Sequence, residues 1–199
     1  MEQFAERAEA VVGCDSLLLY YPHFHPAWAV DSIFRKLLSE IAWEQKHINF
    51  WGKTSPVPRL TSWHSSENKS YSYSGILNSS APHNEVLDDL YQAVEAITGI
   101  EFNSVLLNLY RDGNDAMGWH SDDEKNLDGN TDIVSLSYGV KRDFQVKRKD
   151  KSKKLINIGL GSGSLLVMKS PFQESWLHRV PRRKEVKGAR INLTFRRLR

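Results

Sequence analysis

The sequence is poor in cysteine. Cys14 stands alone among 199 residues, which excludes an intrachain disulfide framework or a cysteine-built zinc site and fits a reducing cytosol. Long apolar runs are missing too. The longest is LLLYY, Leu17 to Tyr21, against the roughly 18 residues of a membrane-spanning helix. The N-terminal stretch MEQFAERAEA is acidic and has no apolar h-region, so no secretory signal and no membrane attachment are expected. No internal repeat and no Gly/Ser or Pro linker divides the chain. Its length suits one domain.

Positive charge is scarce before residue 141. Residues 1–140 hold 9 Lys+Arg against 20 Asp+Glu, a net −11, while residues 141–199 hold 18 against 4, a net +14. A basic field on one part of a molecule attracts a polyanion such as nucleic acid. The alternative is that the two parts fold together and cancel.

Two segments carry helical periodicity. In HPAWAVDSIFRKLLSEIAW, Pro26 suits the first turn, and Ile33, Phe34, Leu37, Leu38 and Ile41 make an apolar stripe. In HNEVLDDLYQAVEAITG, Asn84 is a cap, Leu87, Leu90, Val94 and Ile97 share a face, and Gly99 ends the helix. After Gly99 the period drops to two. SVLLNLY, TDIVSLSYG, RDFQVKR, KLINIG, GSLLVM, SWLHRV and ARINLTFRR read as short strands, the pattern of a sandwich or barrel. The fold class expected is α+β, mainly β, with early helices bracing the sheet. Residues 51–82, rich in Ser, Pro, Tyr and Asn, read as loops and short hairpins.

Chemistry concentrates in GWHSDDE, residues 118–124. Three successive carboxylates repel one another unless a cation or solvent relieves them. His120 and Asp122 lie two apart and share a face in extended backbone. His178, in ESWLHRVP, lies 58 positions further on. Two histidines and one carboxylate leave three coordination positions of a metal open, the facial triad of non-heme Fe(II) oxygenases. Asn108 and Tyr110 share a face of one strand; Arg190, Asn192, Thr194 and Arg196 form the polar face of another. That face is either a wet sheet surface or the polar interior of a barrel that grips an anion, a task suited to arginine.

The order HxD, distant His on a strand, Arg 18 positions beyond it resembles the 2-oxoglutarate-dependent dioxygenases, whose fold is a double-stranded β-helix, or jelly roll. NLYRDGNDAMGWHSDDE, SLSYGVKRDFQVKRK, GSLLVM, WLHRVP and ARINLTFR further resemble the AlkB family of oxidative nucleic-acid demethylases, over about residues 55–199, with the closest look to the branch that repairs duplex DNA. The resemblance implies a single domain. Residues 1–50 would be a helical extension, 51–82 nucleotide-recognition loops and 100–199 the catalytic core.

It also implies roles. His120, Asp122 and His178 would hold Fe(II), with O2 and 2-oxoglutarate as co-substrates. Arg196 would clamp the distal carboxylate of 2-oxoglutarate and Arg190 would sit near its metal-side carboxylate, with Asn108, Tyr110, Asn192 and Thr194 completing the lining. Glu124 would contact a cationic alkylated base, and Asp123 would orient an arginine such as Arg190. SYSYSG, residues 70–75, resembles the family's base-holding hairpin, in which Tyr73 would stack on the flipped base opposite His120, with Tyr71 and Ser74 beside it. Arg59 and Trp63 would reach the lesion or its partner strand, and Arg142 the DNA edge. KRKDKSKK (147–154) and RVPRRKE (179–185) would meet phosphates. The expected function is oxidative demethylation of bases such as N1-methyladenine and N3-methylcytosine in DNA, releasing formaldehyde, with RNA demethylation or a non-catalytic nucleic-acid-binding module as alternatives. A monomer is expected, cytoplasmic in a bacterium and nuclear in a eukaryote.

Overall fold

The structure, a computed structural model, describes residues 8–50, 52–66, 71–73, 76–81, 84–150 and 154–199. Strands β1 (Glu9–Ala10) and β2 (Leu18–Tyr21) lead into helix α1 (Ala27–Glu40). A hairpin of β3 (His47–Phe50) and β4 (Lys53–Pro56) follows, then β5 (Leu60–Ser65), a second hairpin of β6 (Tyr71–Tyr73) and β7 (Ile76–Asn78), and helix α2 (Glu85–Thr98). The rest is β8 (Ser104–Tyr110), β9 (Met117–His120), β10 (Ile133–Gly139), β11 (Arg142–Arg148), β12 (Leu155–Leu160), β13 (Ser164–Met168), the single turn α3 (Phe172–Ser175), β14 (Trp176–Val180) and β15 (Arg190–Arg196).

The helix signals act as their chemistry requires. The Asn84 side chain accepts from the Leu87 amide, and Gly99 closes α2 in the left-handed conformation at φ 69°. Pro26 sits one position earlier than expected, as the extended residue capping α1. Leu37 and Ile41 are buried, but Leu38 is 42% exposed, off the stripe assigned to it.

Two antiparallel sheets make the jelly roll. The larger runs β1-β2-β13-β10-β15-β8-β5 and the smaller β12-β11-β14-β9. Alternation sorts the larger sheet's side chains. Val105, Leu107, Leu109, Ile191, Leu193 and Phe195 join α1 and α2 in one core. The opposite phase faces the smaller sheet, where Leu166 and Met168 meet Phe144, Val146, Trp176 and Val180 in a second core. The polar face of β15 is therefore an interior: all seven of its residues are buried. The first 50 residues do more than brace. β2 pairs with β13, Leu166 opposite Tyr20, and so extends the larger sheet. Among the described residues no helix is long and apolar enough to cross a membrane.

Candidate metal and co-substrate site

The two histidines face each other across neighbouring strands. His178 on β14 is in register with His120 on β9, and a bulge between His178 and Val180 shifts the pairing. A bulge re-aims side chains, and here His120 and Met117 both turn inward. The imidazole rings lie 4.1 Å apart at 63°. Asp122 follows the end of β9. Its Oδ1 is 3.8 Å from His120 Nε2, and its Oδ2 is 4.0 Å from His178 Nε2. One ligand atom from each of the three lies within 4.8 Å of the others.

Nitrogen and oxygen donors bind a metal at about 2.0–2.2 Å, so donors to one ion lie no more than about 4.4 Å apart. Small side-chain rotations close that gap. The donors also hold the right charge states. His120 Nδ1 donates to Gly118 O at 2.9 Å, which leaves Nε2 as the lone pair. Burial lowers the His120 pKa. Burial, then the neighbouring His120, pushes His178 down to about 3. Burial alone would raise Asp122, but Arg196 and the two histidines outweigh it and hold the carboxyl at about 2. Neutral imidazoles beside an ionised carboxylate are what a metal needs. Phe144 stacks on the His178 ring at 5.2 Å.

The cavity between the sheets is lined by these donors together with Asn108, Tyr110, Arg190, Asn192, Thr194 and Arg196. Asn192 donates to Ser135 Oγ at 2.7 Å, and Thr194 donates to Asn192 Oδ1 at 3.1 Å. The two arginines take up opposite positions from those expected. Arg196 Nη2 is 2.9 Å from Asp122 Oδ1, so Arg196 stands beside the metal donors. Arg190, six residues away along β15, donates to Ser137 Oγ at 2.8 Å and lies over the Tyr110 ring. Its Nε and Nη1 are buried without a hydrogen-bond partner among the described residues. Burial lowers its pKa to about 10, which still leaves it a cation at neutral pH. A buried cation without an acid is costly, and the carboxylate end of a keto acid reaching in from the metal would satisfy it. Arg196 thus stands at the metal donors' end of β15 and Arg190 at its far end.

Other expected contacts divide. Glu124 is half-buried and lines a wider cavity of about 580 Å³ that shares Asp122 and Arg196 with the first. Asp123 does not reach Arg190: it accepts from Ser121 Oγ at 2.8 Å and sits 3.5 Å from Lys149 Nζ. Arg142 is no DNA-edge residue. It is buried, and its guanidinium donates to the carbonyls of Asp112 and Asp115 in the β8–β9 loop and of Pro181 after β14, binding two loops together. Arg59 is buried and donates from Nε to Asn108 Oδ1 at 2.7 Å. Trp63 packs against Leu106, Leu127 and Leu198 with no open face. Tyr71 and Tyr73 lie on the β6–β7 hairpin; Ser74 is outside the described residues. Two contacts went unread in the sequence. Phe144 was legible only as an inward-phase residue of β11. The bond from the Asp122 amide to Gln173 Oε1, 3.0 Å across 51 positions, leaves no sequence signal at all.

This donor set and fold define an oxygenase of the Fe(II)/2-oxoglutarate class, and a family model described as the 2OG-Fe(II) oxygenase superfamily matches residues 17–196. Among similar proteins, the alpha-ketoglutarate-dependent dioxygenase alkB homolog 3 of Rattus norvegicus is 36% identical over 190 residues, covering 91% of this chain and 64% of its own length. The DNA oxidative demethylase ALKBH2 of Bos taurus is 36% identical over 202 residues, covering 96% and 70%. ALKBH2 of Arabidopsis thaliana is 34% identical, covering 93% and 67%. The chain spans about two thirds of the length of these relatives. Within the superfamily, the chain belongs to the AlkB family.

Proposed function

We propose that the chain oxidatively demethylates N-alkylated bases in DNA. The observation that carries this is the convergence of His120, Asp122 and His178 beside the buried Arg190, whose Nε and Nη1 have no hydrogen-bond partner among the described residues; the relatives' names supply the substrate class. Bound Fe(II) supplies oxidising chemistry in which 2-oxoglutarate and O2 become succinate and CO2, and the N-methyl group becomes a hydroxymethyl group lost as formaldehyde. The chain's own part is placement. The three donors fix the metal. Arg190 holds the far carboxylate of the keto acid, Tyr110 and Asn192 line its bed, and the two sheets exclude water around it.

N1-methyladenine and N3-methylcytosine are cations, and ordinary bases are not. The Glu124 carboxylate beside Asp122 favours a cation and accepts from its exocyclic amino group. A base in a duplex must leave the stack to reach a buried site, and the β6–β7 hairpin with His120 would hold it. On the outer face of the smaller sheet, Lys147 Nζ and Arg179 Cζ each lie 4.5 Å from the centre of the Trp119 ring. These cations would meet phosphates.

The test is succinate formation with Fe(II) and 2-oxoglutarate, on single-stranded DNA, duplex DNA and RNA that carry N1-methyladenine. Methylated DNA should stimulate turnover. A preference for RNA would transfer the substrate to the other polymer, and no stimulation by any methylated nucleic acid would retire the repair reading.

A further inference from the structure

Two of the three metal donors ride on paired strands, and the third does not. His120 and His178 are fixed by the β9–β14 ladder. Asp122 lies beyond the end of β9, where no ladder bond sets its backbone. A donor must be placed within a few tenths of an ångström to bind well, so another group has to hold this loop.

We propose that Gln173 is the positioning residue that places Asp122 for metal binding, with Lys149 holding Gln173 in turn. The inference rests on the metal-centre reading of this site. Gln173 Oε1 accepts the Asp122 amide at 3.0 Å, while its Nε2 donates to Met168 Sδ at 3.5 Å, which fixes the orientation of the amide. Lys149 Nζ donates to Gln173 O at 2.8 Å, and the same ammonium lies 3.5 Å from Asp123 Oδ2. Ser121 Oγ donates to that same carboxylate oxygen at 2.8 Å. The Lys149 amide donates to Ser175 O at 2.9 Å.

Three segments distant in sequence, residues 121–123, the end of β11 and the α3 turn, are thus tied into one ring of bonds. Asp122 is gripped from both ends: Gln173 holds its amide, and Arg196 its carboxylate at 2.9 Å. Gln173 is well suited to this place. Its Oε1 accepts the Asp122 amide while its Nε2 is held by Met168 Sδ.

The test uses Mn(II) alone, with the free ion counted by its electron paramagnetic resonance signal, on the full chain without substrate. Gln173→Met keeps length and shape but loses the acceptor. Its manganese affinity should fall about 10-fold or more, the usual cost of removing a partner that orients a ligand. Gln173→Glu keeps an oxygen at the same reach and should return affinity to within about threefold of the parent. Equal binding by the Met variant, or equal loss in both variants, overturns the proposal. Should Gln173→Met fail to fold, Lys149→Met decides. Removing a nearby cation would by charge alone tighten Mn(II) binding, whereas loss of the clamp should weaken it about threefold or more. Unchanged or tighter binding overturns the proposal. A parent that binds no Mn(II) would refute the metal-centre reading itself, a result distinct from failure of the clamp.

Discussion

Arg190 is the most informative single residue of the site, because its burial makes no sense without an anion. The residue is 1% exposed, and its guanidinium donates to the neutral Ser137 hydroxyl. Hydrogen bonds to charged groups are worth roughly 1.5–3 kcal/mol. Arg190→Met should therefore raise the KM for 2-oxoglutarate roughly 10- to 100-fold, with much less change in kcat at saturation. Steady-state kinetics on a methylated oligonucleotide measures both, and an unchanged KM would return the distal clamp to Arg196. Asp122→Ala removes one metal donor and leaves Arg196 without the carboxylate it touches. Turnover should vanish and Mn(II) binding collapse; measurable demethylation in that variant would refute the ligand assignment.

At the scale of elements, turns and helix contacts support the site from outside. A Cβ on Gly113 would sit 1.7 Å from the Arg183 carbonyl oxygen, in a place where the Gly113 amide donates to Val186 O and its carbonyl accepts from the Arg183 amide. Gly113→Ala must push the 183–186 loop away and should cost about 1–3 kcal/mol in chemical denaturation. Unchanged stability would show that the loop yields freely. Just before α1, His25 Nδ1 lies 2.7 Å from the Tyr138 hydroxyl in a buried contact, and burial pushes His25 down to about 4. In the unfolded chain it titrates near 6.5, so between those values only the unfolded state takes up the proton. This contribution to stability is complete above pH 6.5 and is lost as pH falls towards 4. His25→Gln should flatten the fall in denaturation midpoint between pH 7 and pH 5; an equally steep fall in the variant would assign that loss to other groups.

The elements also show what could be read from the chain. β8, β11 and β15 were legible because one phase of each is apolar and packs on a core. β5 was not. Its LTSWHS places Ser62 and His64, bonded to each other at 3.0 Å, on one phase and Thr61 and Trp63 on the other, and all four are buried. Alternation also put Arg190 and Arg196 on one face without saying which end of the strand meets the metal. That depends on where Asp122 leaves β9, which is a tertiary fact. Arg142 looked like one more basic surface residue, because nothing local announces three carbonyls gathered from two loops.

For the whole molecule, the opposed charges of the two parts are only partly spent on each other. Arg148–Asp15, Lys149–Asp123 and Arg196–Asp122 pair across residue 140, and Arg183 is occupied by Asp143. Lys147 and Arg179 instead rest against Trp119. If they meet phosphates, oligonucleotide affinity should fall linearly with salt on logarithmic axes. Replacing both by alanine should then reduce the slope by about 2, roughly one counterion per lost contact. An unchanged slope would place the nucleic acid on another face.

The proposed demethylation has one defining stoichiometry. A duplex oligonucleotide with a single N1-methyladenine, incubated with the chain, Fe(II), 2-oxoglutarate and oxygen, should return plain adenine by mass spectrometry, with formaldehyde and succinate released in equal amount. Conversion of 2-oxoglutarate that leaves the lesion intact, or removal of the methyl group without 2-oxoglutarate, would contradict it.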